Sequence, residues 1–345
     1  MSLKFRPTDP SDADAISRLM QQIFGIPSGH PGLRAAQMDW KYWQRHPKWE
    51  GSRSFVMERD GELVAHGSVV PLSLAWQDRR YRLFHMIDWA AKPDSPGAGR
   101  VLLRNAGKLC DGFFVAGGSD MTQKILPALG CRQSVSATMF ALPVRPFVRL
   151  RDDSRSAKSV ARFGRNLLWK MRARSIMPPG WNVRRVPREQ LATAEFPTPH
   201  PRGAEAVFER TAEDIAYLMD CPVAPVECYV VEKNGVARGY FVLTVAIRQS
   251  RIAETWVDSR EIGDWRALYL LAIREASARR EIAEIVTVGS TPHESEALKQ
   301  AGFQPRGEIA LRFRLRDKSV PEIARYQMVD GDAAYLHDGS SSFWA

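Results

Sequence analysis

One motif occurs twice in this chain of 345 residues, and the repeat constrains the fold more than any other feature. Residues 55–67 read as strand, tight turn and strand, turning at Asp60-Gly61, a pair that supplies the positive φ angles of a two-residue hairpin. Residues 229–239 repeat the pattern at Asn234-Gly235, and the two turn glycines lie 174 residues apart. A helical lead-in precedes each hairpin, over 40–47 and 216–222, with prolines 175 residues apart. Downstream, Ile87-Asp88-Trp89 parallels Trp256-Val257-Asp258, with aspartates 170 residues apart. Each copy continues with an amphipathic helix (about 97–110, and 265 to about 279) and an apolar strand (112–116, and 282–288). A short helix then ends in glycine, and Ser119 to Gly130 spans the same distance as Thr291 to Gly302. Five matched elements at offsets of 170–175 residues identify two copies of one unit.

The order in each unit is helix, hairpin, long strand, helix, strand, helix and final strand. The final strands are read at 137–142 and 309–315. Hairpins combined with crossover helices predict a mixed α/β (α+β) class, with two tandem units, each a mixed central sheet flanked by helices. The expected divisions are a first domain over 1–145, a basic helical connector over 146–195, a second domain over 196–318, and a tail over 319–345. Pro178-Pro179-Gly180 breaks the connector after a basic helix at about 156–173.

Composition bounds the partners. The net charge of +10 favours an anionic partner, and nine basic residues fall between Arg149 and Arg174. Ala161, Phe163, Leu167, Leu168 and Met171 give that helix an apolar side among arginines. It reads first as a solvated helix, and alternatively as a face for an acidic partner or for peripheral membrane contact. No nucleic-acid-binding module is recognisable, and no apolar run reaches the roughly 18 residues that span a bilayer. Four cysteines without CxxC spacing and an N-terminus without an apolar signal region lead to a reduced, cytoplasmic expectation. The histidines show no metal-ligand spacing, so no metal site is expected. No Walker loop, HExxH or Gly-x-Ser-x-Gly motif is present.

Against this order stands Pro93-Asp94-Ser95-Pro96-Gly97-Ala98-Gly99-Arg100-Val101, a glycine-rich turn opening a helix. Glycines let backbone approach a pyrophosphate, and a new helix aims unpaired N–H groups at it. The turn and the element order resemble the GNAT (Gcn5-related N-acetyltransferase) superfamily, whose loop is commonly Pro-x-x-Arg-Gly-x-Gly-x-Gly/Ala. Here Pro96 stands for the arginine and Val101 for the last small residue. Gly117-Gly118-Ser119 with Leu129-Gly130, and Gly289-Ser290-Thr291 with Gly302-Phe303, resemble the family's second cofactor segment. The second unit carries residues 258–265 in place of the loop and lacks the Gly-x-Gly.

The resemblance implies an acyl-CoA-dependent N-acyltransferase with acetyl-CoA, or another acyl-CoA, held by the first unit. Gly97, Ala98, Gly99, Arg100 and Val101 would meet the pyrophosphate, Ser119 the pantetheine arm, and the backbone of Trp89, Ala90 and Ala91 the thioester carbonyl. Asp88 is the candidate general base, its other role being a strand-end carboxylate bonded to backbone; His85 is the weaker candidate. Three residues apart on a strand, Asp88 and His85 point to opposite faces unless a bulge intervenes. The family's tyrosine general acid is missing, and Ser119 stands nearest to that role. The expected acceptor is an amine between the units, with a cell-envelope or exopolysaccharide amino sugar as the guess. Two other readings are a FemAB-like transferase using aminoacyl-tRNA, the only setting in which nucleic acid enters, and a binding module without catalysis.

Overall fold

A computed structural model describes residues 3–148, 157–172, 176–337 and 344. The first unit runs β1 (Lys4–Pro7), α1 (Ala13–Phe24), α2 (Ala35–Met38) with a π-helical turn over Asp39–Trp43, β2 (Ser54–Arg59), β3 (Glu62–Trp76), β4 (Arg79–Ala91), α3 (Ala98–Ala106), β5 (Gly112–Ala116), α4 (Asp120–Ile125), β6 (Arg132–Gln133) and β7 (Ala137–Pro143). The connector helix α5 (Ala157–Arg172) packs against β7. The second unit runs β8 (Trp181–Val186), β9 (Ala206–Phe208), α6 (Ala212–Met219), β10 (Val226–Lys233), β11 (Val236–Ala246), β12 (Gln249–Val257), α7 (Ile262–Ser277), β13 (Glu284–Gly289), α8 (Pro292–Gln300), β14 (Gln304–Ile309) and β15 (Leu311–Leu315), followed by β16 (Ala324–Arg325). Both hairpins turn as their dipeptides require: Asp60 and Gly61 have φ of 52° and 82°, and Asn234 and Gly235 have 52° and 78°.

The two sheets are built alike, and each is completed by the other copy. One orders its strands β1-β2-β3-β4-β5-β15-β6, with β9 and β16 attached beside β3; the other reads β8-β10-β11-β12-β13-β7-β14. The strand that ends the first sequence unit therefore lies between β13 and β14, and the one that ends the second lies between β5 and β6. Met139 pairs with Val288, and Phe313 with Phe114. Side-chain patterning explains the placement. β7 is buried along nearly its whole length, as an interior strand covered on both faces must be. β15 alternates buried Leu311, Phe313 and Leu315 with arginines, as a strand with one wet face does.

The stretch after residue 318 is not an appendage. Tyr326, Met328, Val329, Asp330 and Tyr335 are buried, and the apolar ones belong to the core that both units share. This strap runs between the units, and Arg251 of β12 holds it through Nη1 bonds to the carbonyls of Ala333 (2.8 Å) and Leu336 (2.7 Å). The two lead-in helices also meet: the rings of Trp40 and Tyr217 stack at 4.8 Å, and each residue donates to the other's carbonyl.

Candidate functional site

β4 and β5 are parallel neighbours that touch in register only at His85 and Phe114. Beyond that point they splay, so the edge of β4 from Met86 to Ala91 has no strand partner on the β5 side among the described residues, while Ala90 and Ala91 remain paired to His66 and Ala65 of β3. Within this free stretch β4 carries a bulge. Ile87 pairs with Ser68 and Ala90 with His66, so β4 has one residue too many opposite Gly67. The extra residue is Asp88, at φ 52°.

The bulge sends Asp88 and Trp89 to different neighbours. The Asp88 carboxylate accepts from Tyr42 Oη (2.8 Å) and Ser68 Oγ (3.1 Å) and forms an ion pair with Lys41 Nζ at 2.6 Å. Burial alone would raise its pKa, but the Lys41 charge and these bonds hold it below the usual carboxylate range. The Trp89 indole donates Nε1–H to the Gly99 carbonyl at 3.0 Å. The strand is thereby tied to the first turn of α3, where a Cβ on Gly99 would stand 3.1 Å from the indole nitrogen.

At that turn Gly97 takes φ +84° and faces open space. The amides of Ala98 and Val101 donate to Ser95 and Gly97, whereas those of Gly99 and Arg100 have no hydrogen bond among the described residues. No acidic residue occupies the first turn, Arg100 is exposed, and Val101 is half-buried. These are the features an anion at a helix start requires.

His85 is a neutral bridge between the units. Its Nε2 accepts from the Ala116 amide (3.2 Å), which leaves the proton on Nδ1, 3.0 Å from the Asp330 carbonyl of the strap. Burial pushes its pKa down to about 4. With both nitrogens engaged it has no free base, and it does not touch Asp88. Ser119 is an exposed helix cap, accepting from the Thr122 amide at 3.3 Å, and has no bond to Asp88 or His85. The structure therefore joins Asp88, Trp89 and the glycine turn, and leaves His85 and Ser119 outside that group. Lys41, Tyr42 and Ser68 were not readable as partners of Asp88, because no local pattern links a π-turn to a strand bulge.

The second unit keeps a bulge and a buried carboxylate but differs at the helix start and in the splay. Its bulge falls between Val242–Glu254 and Leu243–Ile252, so the extra residue is Ala253, while the pairs flanking the two bulges (Met86 and Ile252, Ala90 and Trp256) put buried Glu254, ion-paired to Arg210 at 2.7 Å, at the place of Asp88. Asp258, paired with Asp88 by sequence offset, lies past the end of β12 with its side chain 48% exposed, bound to Arg202. The start of α7 carries Glu261 and Asp264, which repel an anion. The strap fills the splay between β12 and β13: Gln327 accepts from the Thr255 amide, Tyr326 N donates to Ser290 Oγ, and Arg325 pairs with Glu294 at 2.9 Å.

A cavity of about 260 Å³ opens on the Asp88 side of β4. It is lined by Met20, Phe24, Ile26, His30, Gly32 and Leu33 from α1 and the following loop, by Lys41 and Asp88, and by Asp332 and Leu336 of the strap. Asp332 is a further functional candidate, and no sequence motif marks it.

No family model and no curated protein sequence matches the chain. Solved structures do. A GCN5-related N-acetyltransferase from Anabaena variabilis superposes with a TM-score of 0.59 at 12% identity, over 91% of this chain and 73% of that one. The N-myristoyltransferase of Saccharomyces cerevisiae with bound myristoyl-CoA gives 0.59 at 11%, over 94% and 84%. A tandem GNAT protein from the clavulanic acid biosynthesis pathway gives 0.53 at 13%, over 91% and 98%. With two mixed sheets flanked by helices and a splayed, bulged central strand in each, the chain has the tandem GNAT fold.

Proposed function

We propose that the protein is an acyl-CoA-dependent N-acyltransferase, with acetyl-CoA as the cofactor and a single working site in the first unit. The observation that carries this reading is the asymmetry between the copies. Only the first joins an unpartnered strand edge at Met86–Ala91 to an acid-free glycine turn at a helix start; a buried, ion-paired carboxylate is common to both copies. The fold is shared with acyltransferases, one of them bound to myristoyl-CoA, which supports an acyl-CoA as the cofactor class.

The residues fit such a group. Gly97 leaves open space before α3, and the amides of Gly99 and Arg100 are available to a pyrophosphate. When bound, the thioester supplies an acyl carbonyl activated toward an amine. The free amides of the β4 edge would hold that carbonyl oxygen and stabilise charge as it develops there. The Lys41–Asp88 pair fixes the bulge that aims this edge, and with three partners Asp88 acts as a positioning residue. Trp89 keeps the edge in register with the helix start.

The test is a thermal-shift series with acetyl-CoA and longer acyl-CoA thioesters, with Gly97→Glu as the control. A saturable rise in melting temperature that disappears in the variant is expected. No shift with any acyl-CoA would sink the reading.

A further inference from the structure

The cavity beside Asp88 is mostly apolar, and one of its carboxylates has no side-chain hydrogen-bond partner among the described residues. Its walls are Met20, Phe24, Ile26, Leu33 and Leu336, with His30 and Gly32 beside them, a mostly apolar surface that would leave most hydroxyls of a polyol unpaired. Its charged groups are Lys41, Asp88 and Asp332. Lys41 is committed to Asp88 at 2.6 Å. The Asp332 carboxylate makes no hydrogen bond or ion pair with any side chain among the described residues, although it lies on a strap that Arg251 and the Trp40–Tyr335 ring contact hold in place. Burial, with the Asp88 charge beside it, pushes its pKa up to about 6, against the opposing pull of the Lys41 and Arg251 charges.

We infer that this cavity takes a small primary amine with an apolar body, and that Asp332, delivered from the strap beyond the second unit, binds its ammonium group and receives its proton. The inference rests on the acyltransferase reading for its chemical step only. A volume of about 260 Å³ lies just below the range of ligand pockets, which starts at roughly 300 Å³, and suits a small alkyl or arylalkyl amine. One ammonium would give the Asp332 carboxylate the hydrogen-bond donor it lacks without disturbing the Lys41–Asp88 pair. In the reaction, Asp332 accepts one proton from the ammonium. The nitrogen then forms its bond to the acyl carbon as the carbon–sulfur bond breaks, and the second nitrogen proton goes to the departing thiolate. The second unit thereby acquires a role at the first unit's site, because it holds the strap that completes the acceptor wall.

The experiment is calorimetric titration of the full chain, without cofactor, at pH 7.5, using hexylamine, hexanol and glucosamine. Hexylamine should bind, Asp332→Asn should weaken it at least tenfold, and hexanol should be insensitive to that change. Glucosamine should give no saturable heat. Phe24→Ala alters an exposed wall residue away from the strap and should weaken hexylamine and hexanol alike. Hexylamine affinity unchanged in both variants, or glucosamine binding as tightly as hexylamine, overturns the assignment. Acetyl-CoA thermal shifts on the same samples separate the two claims. A normal acetyl-CoA shift with no amine binding removes the acceptor site alone. Asp332-dependent amine binding with no acyl-CoA shift upholds the amine site and removes the acyltransferase reading together with the proton-transfer step.

Discussion

Asp88 and Trp89 are consecutive residues, yet the bulge in β4 turns the Asp88 carboxylate onto Lys41 and the Trp89 indole onto the carbonyl of Gly99. The backbone between them is the unpaired edge of the splay. The glycine turn and the cavity thus share one strand segment, each fixed by a neighbouring side chain. Trp89→Phe keeps an aromatic ring and removes the N–H donor. It should cost about 1 kcal/mol of stability in urea unfolding and weaken acetyl-CoA several-fold, with hexylamine binding unchanged. Equal loss at both sites would show that the indole only supports the core.

Asp88→Asn tests whether the aspartate positions or titrates. The substitution leaves Lys41 buried without its counter-charge, so a loss of about 3–5 kcal/mol is expected. Lys41→Met in the same background should recover part of it by removing the stranded charge. A stability equal to wild type, with activity abolished, would instead mark Asp88 as a base.

Acid should destabilise the protein in a defined window. Burial lowers the pKa of His46 to about 3 and of His66 and His85 to about 4, below the ordinary histidine value. A lowered histidine binds fewer protons folded than unfolded, so stability is intact above about 6.5 and is lost as pH falls toward 4. Each contributes roughly 2 kcal/mol of that loss at pH 5. Asp332, raised to about 6, works in the opposite direction over the same range and offsets a smaller part. Melting temperature measured from pH 8 to 4.5 should fall steeply below pH 6.5; a flat profile would contradict the buried neutral histidines.

Neither unit should fold alone. Residues 1–148 lack β15, which fills the gap between β5 and β6, and expose both edges of the apolar β7. Separately expressed halves should be insoluble or unstructured by circular dichroism, and co-expression should restore a soluble complex. A folded, monomeric first half would argue against the exchange.

That exchange marks the limit of what the sequence discloses. The Asp60-Gly61 and Asn234-Gly235 turns, the helices and the internal order of each copy are written in local patterns of period and turn chemistry. The Pro93–Val101 turn was legible for the same reason. Which sheet β7 enters is not local: its apolar run suits either core equally well. The bulge was equally hidden, because a register slip between β3 and β4 leaves no mark on composition. Matching Asp88 to Asp258 by offset therefore missed Glu254, the residue at the equivalent place. Asp332 escaped notice because its significance depends on the strap's path between the units.

The central claim is one cofactor site, in the first unit. Calorimetric titration of the full chain with acetyl-CoA measures it directly. The account predicts one site per chain, lost in Gly97→Glu at the start of α3 and kept in Gly263→Glu at the corresponding start of α7. Two sites per chain, or loss of binding in Gly263→Glu with Gly97→Glu unaffected, would contradict it.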